Sequence, residues 1–225
     1  MTIASPEGRS GALLGRLAPL AGVLFAVLTV AAYLTMDEFP DGSTPVGDLP
    51  AYYAAHGGRV SLGGTILGLA GVCFGVFGVA VWARLRDRRV PAVVAGVALL
   101  GAAVDTMAGL NSAAVYNLLG SIGVDPHVTG SALQAWHISG AEFGVGGGGT
   151  LFLLATAVAG IAYRAVPRWV AWTGLALAVA PFLPSPFGFF GSLVFLLWAA
   201  AAGIALAVRP EVQTRTTGPV PAAVA

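Results

Sequence analysis

From Val60 to Ala83, and again from Trp169 to Val208, the chain carries no charged side chain. A helix crossing about 30 Å of hydrocarbon needs roughly 20 apolar residues at 1.5 Å each, so both runs are long enough to span a bilayer. The charge inventory closes the soluble alternative. Of 225 residues, 57% are hydrophobic and 9% charged, whereas soluble domains carry about 25% charged residues. In lipid every backbone N–H and C=O must be bonded internally, which leaves helices or a closed barrel. The period-two alternation of a barrel strand is missing. The fold class is therefore all-α, a polytopic membrane helical bundle.

Six transmembrane helices can be placed on the sequence: Leu17–Met36, Val60–Ala83, Pro91–Tyr116, Trp136–Tyr163, Trp169–Leu183 and Phe189–Val208. In this layout Arg9, Arg16, Arg84, Arg86, Arg88, Arg89, Arg164, Arg168, Arg209 and Arg215 share one side, and Arg59 alone takes the other. The positive-inside rule then puts both termini in the cytoplasm. Residues 1–16 form a cytoplasmic tail, 17–208 the membrane domain with its main external loop at 37–59, and 209–225 a disordered cytoplasmic tail. Arg9 and Arg16 before an apolar run also resemble a signal peptide, but the run reaches full spanning length and reads as an uncleaved anchor.

Within the external loop, Asp48 is placed to cap a short helix through His56 that Gly57 would end, with Tyr52 and Tyr53 at the outer membrane surface. Pro91 and Pro167 suit helix starts, where a missing N–H costs little. A faint echo links "RVPAVVAGVALLGA" to "AVPRWVAWTGLALAVA", as a duplicated helical hairpin would. All the basic residues are arginine, and Ala, Gly, Val and Pro are abundant, a GC-rich coding pattern that points to a bacterial plasma (inner) membrane. The segments "AYYAAHGGRV" and "PRWVAWTGLALAV" resemble those of uncharacterised six-span actinobacterial integral membrane proteins. That resemblance implies a multi-pass fold and brings no catalytic residues with it.

Glycines mark the packing faces. Gly64, Gly68, Gly71, Gly75 and Gly78 recur at helical spacing along one face, and Gly140, Gly144 and Gly148 form a second row. Helices in lipid associate through such close approaches. The partner helix can lie in the same chain, in a second copy or in a partner subunit.

Asp105 is the costly acid. It stands about 21 Å along the third span from Pro91, and no span contains a Lys or Arg to pair with it. A central Asp costs about 2.5–3.5 kcal/mol on insertion scales and normally faces the bundle interior. Ser112 and Tyr116 continue its face outward. His137 and Glu142 fall at the external mouth, and these five residues form the candidate ligand-binding set. A purely structural Asp105, bonded to a neighbouring helix, is the competing explanation.

His56, His127 and His137 share the external side with Asp125 and Glu142, but their spacing fits no metal-ligand motif. No cofactor motif is present: "GVGGGG" lacks the preceding strand that a dinucleotide fingerprint needs. No basic cluster with interleaved aromatics offers a nucleic-acid footprint. The single cysteine, Cys73, reads as a small buried hydrophobe and excludes an internal disulfide.

Three functions fit these residues. The first is a binding or partner subunit for an apolar or lipid-like ligand, which short loops and packing glycines favour. The second is a proton- or ion-coupled transporter using Asp105. The third is an intramembrane enzyme acting on a lipid or isoprenoid, with Asp105 and Glu142 as acid and base.

Overall fold

The computed structural model describes residues 17–36, 44–123, 127–142, 147–179 and 187–208, together with 15, 40, 125 and 182. For 137–142 and 187–192 it describes the backbone alone. Of the two expected tails, 1–16 and 209–225, all but residue 15 lie outside the described residues. Every regular element among the described residues is helical. The main ones are α1 (Ala21–Met36), α2 (Leu49–Asp87), α3 (Ala92–Ile122), α4 (Gly130–Glu142), α5 (Gly147–Tyr163), α6 (Arg168–Val179) and α7 (Phe187–Val208).

Three stretches are long and apolar enough to cross a membrane: Ala18–Met36, Val46–Asp87 and Ala92–Ile122. Two shorter apolar helices, Gly147–Tyr163 and Leu193–Val208, accompany them. The packing order closes a ring. Helix α1 packs on α2, α2 on α3, α3 on α5, α5 on α6, α6 on α7, and α7 returns to α1. Helix α4 sits at one end of this ring against α3 and α2.

The α2–α3 pair is the spine, and the glycine row makes it. A β-carbon on Gly64 would meet Tyr116 and Ala113 of α3, and one on Gly78 would run into Ala102. Gly68, Gly71 and Gly75 face Ala113, Gly109 and Thr106. The partner of this row is therefore α3 of the same chain. Close backbone approach supplies dispersion contact that larger residues would block, and dispersion is a main source of helix association in lipid.

The row extends further than its sequence spacing suggests. Gly57 packs on the backbone of Gly120, and Gly123 lies under Tyr53. This corrects the expected surface helix: Leu49–His56 does not stop at Gly57 but runs on as the first turns of the 39-residue α2. Gly57 stays within the helix, and no glycine among the described residues has positive φ. Asp48 does occupy the N-cap position, but its side chain makes no capping bond. Tyr53 is fully buried in an outer core with Met36, Leu49, Val60, Tyr116, Leu119 and Leu133 rather than placed at a lipid surface. Cys73 is half-buried rather than buried.

The inner core is aromatic. Phe25 of α1, Phe74 and Phe77 of α2, Phe152 of α5, and Phe195 and Trp198 of α7 contact one another with centroids 4.9–6.4 Å apart. Most pairs are tilted or edge-on, the arrangement that ring quadrupoles favour. Trp198 donates its Nε1–H to the Val170 carbonyl at 3.0 Å and ties α7 to α6.

Two of the expected spans are described in part. Of the fourth, Trp136–Tyr163, α4 is described up to Glu142 and α5 from Gly147, and 143–146 lie outside the described residues. In the Gly140–Gly144–Gly148 row, Gly144 lies outside the described residues and Gly148 packs against α3. Of the fifth, Trp169–Leu183, the described helix is the 12 residues of α6, about 18 Å long.

Candidate functional site around Asp105

Helix α3 carries Asp105 near its midpoint, and α5 crosses it there. A β-carbon on Gly148 would stand 2.5 Å from the Asp105 nitrogen and 2.8 Å from the Gly101 carbonyl oxygen. Glycine at both positions lets the two backbones touch. That approach delivers the first turn of α5 to Asp105, whose Oδ1 accepts the Gly149 N–H at 3.1 Å. Gly149 lies in the first described turn of α5, so this bond ties Asp105 to the backbone of a helix other than its own.

The carboxylate remains half-buried. No other hydrogen bond to it is made among the described residues. Phe195 of α7 approaches the same place: its ring edge lies 3.8 Å from where a Gly149 β-carbon would be. The site therefore combines one acid, the Gly149 backbone of α5 and the rim of the aromatic core. In chemical terms it can accept a hydrogen bond from a donor whose body is apolar.

The other candidates distribute differently. Ser112 and Tyr116, 1% and 3% exposed, are packed between helices, with Tyr116 against Gly64. His137 and Glu142 belong to α4, Glu142 as its last residue, and their side chains lie outside the described ones. His56 stacks on Tyr52 with centroids 4.7 Å apart, and its Nδ1 lies 3.0 Å from the Tyr52 carbonyl oxygen. The His127 backbone N–H donates to Asp125 Oδ1 at 2.9 Å. No group of three or more potential metal ligands comes together among the described residues.

Compared with protein-family models, curated proteins and solved structures, the chain finds no match. Its chemistry has to be read from the site itself.

Two polar features go beyond what the sequence reading singles out. Asn117 Oδ1 accepts hydrogen bonds from Ser61 at 2.6 Å and Thr65 at 3.3 Å, and its Nδ2 donates to the Ala113 carbonyl at 3.0 Å. Such interhelical bonds pin the N-terminal half of α2 to α3. A signal for them exists, since Ser61 and Thr65 flank the glycine face at helical spacing. Thr156 of α5 is the second feature: it is 1% exposed, and its hydroxyl has no partner among the described residues. A lone threonine in an apolar run gives no sequence cue of that kind.

Proposed function

We propose that this chain is a six-span, multi-pass protein of a bacterial plasma membrane, with both termini cytoplasmic, that binds a small apolar or lipid-like molecule beside Asp105. The membrane placement is supported by the three long apolar helices and two shorter ones. The orientation is supported by ten of eleven arginines falling on one side of the six-span layout.

The observation that carries the ligand reading is Asp105 itself. A half-buried carboxylate at mid-height accepts the Gly149 N–H of α5 through Oδ1, with no further partner among the described residues. A ligand O–H or N–H fits that acceptor, and Phe195 offers an apolar surface beside it. Ion- or proton-coupled transport is the second reading. It is motivated by Asp105 itself, an acid at mid-height with no Lys or Arg in any expected span, because transporter sites commonly lie near the bilayer midplane.

The test is co-extraction. Wild type and Asp105→Asn are purified in mild detergent, and their organic extracts are compared by mass spectrometry. A hydrogen bond to a charged group contributes about 1.5–3 kcal/mol, so the Asn variant is expected to retain an apolar species about tenfold less. Equal retention by two equally stable proteins would refute ligand binding at Asp105.

A further inference from the structure

The turn between α5 and α6, "YRAVPRW", is built differently from a solvated loop. Ala165, Val166 and Pro167 are buried, while Arg164 and Arg168 are exposed. These two arginines, with Val166 and Pro167, line an open cavity of about 410 Å³. Neither arginine forms an ion pair among the described residues. Nor are they occupied in closing the helix. The α5 carbonyls are met by backbone instead: the Arg164 N–H donates to Gly160 at 3.2 Å and the Ala165 N–H to Ala159 at 3.1 Å.

The same end of the molecule carries an aromatic girdle. Tyr163, Trp169 and Trp172 are 45%, 44% and 58% exposed. Exposed Trp and Tyr at the ends of membrane helices sit at headgroup level. The cavity therefore lies at the depth of the lipid phosphates. Paired guanidiniums match the oxygens of a phosphate through parallel N–H donors.

We infer that Arg164 and Arg168 form a binding site for the phosphodiester of an acidic phospholipid. Arg164 stands 15 residues from Gly149, about 22 Å along α5. The site is thus independent of whatever Asp105 binds. Arg164 holds φ 56°, as Arg89 does at the α2–α3 turn, a left-handed conformation in which glycine would be less strained.

The test places the full-length protein in nanodiscs of phosphatidylcholine, with or without phosphatidylglycerol, and counts retained lipid by native mass spectrometry. Wild type should retain phosphatidylglycerol in preference to phosphatidylcholine. Arg164→Gln/Arg168→Gln should lose roughly tenfold or more of that preference, while Arg86→Gln/Arg88→Gln, at the neighbouring turn, should keep it. Arg164→Gly/Arg168→Gln, which relaxes the backbone, should lose it too and guards against misfolding of the first variant. The site is overturned by no lipid preference in wild type, or by equal loss from both arginine pairs. It is also overturned by retained preference in the two Arg164 variants, or by displacement of the lipid with millimolar inorganic phosphate.

Discussion

Gly101→Leu and Gly148→Leu should each lower stability in detergent by about 3 kcal/mol or more, the upper range for overpacking. In melting temperature that is roughly 6–12 °C for a chain of this size. The reason is what the new side chain meets. A β-carbon at Gly101 would lie 2.5 Å from the Phe152 nitrogen and 2.7 Å from the Gly148 oxygen. Those are backbone atoms, which cannot swing aside as a rotamer can, so α3 and α5 must separate. Separation also pulls Gly149 away from Asp105. Gly96 provides the control, since nothing lies within 4 Å of its β-carbon position. Thermal unfolding of the three variants decides the matter: equal losses at Gly96 and Gly101 would mean that no tight crossing exists.

Asp105→Leu should be less stable than Asp105→Asn by about 2 kcal/mol. Asn keeps an oxygen for the Gly149 N–H and nearly the same shape. Leu removes the acceptor, and a buried donor without a partner costs about 1–3 kcal/mol, with no water in hydrocarbon to replace it. Leu also places methyl groups beside Gly149, whose β-carbon position is 3.3 Å from Asp105 Oδ1. Against this, removing an acid from the bilayer centre recovers some insertion cost, but Asn recovers part of that as well. The comparison between the two variants therefore isolates the Asp105–Gly149 bond. Melting temperatures that agree within error would show that the Asp105–Gly149 bond contributes nothing.

Much of this architecture is legible in the amino-acid sequence. Charge scarcity and apolar run length lead to the helical class because bilayer thickness imposes a length on each span. Spacing alone finds the Gly64–Gly78 face, and the absence of a counter-ion singles out Asp105. The rest depends on partners that spacing does not name. Gly57 resembles a helix stop, but Gly120 lies against it and the helix continues. Tyr53 looks interfacial because amphipathic rings usually are, but it is buried in the outer core with residues of α3 and α4. Ala70 lies off the glycine row by spacing, yet it too is fully buried. The Asp105–Gly149 bond is unreadable from spacing because its donor, Gly149, is 44 residues away on a different helix.

The ligand and lipid proposals both require the ring to sit in the membrane, and the six-span orientation is the claim to measure. Single cysteines are introduced at Ser43 and Thr216 in a Cys73→Ser background and treated with an impermeant thiol reagent. Six spans place five crossings between these positions, so they must label from opposite sides. Ser43 should react in intact cells and Thr216 only after permeabilisation. If only the three longest apolar helices crossed, two crossings would separate the positions and both would label from the same side. Same-side labelling, or reaction of Thr216 alone in intact cells, would contradict the six-span bundle with cytoplasmic termini.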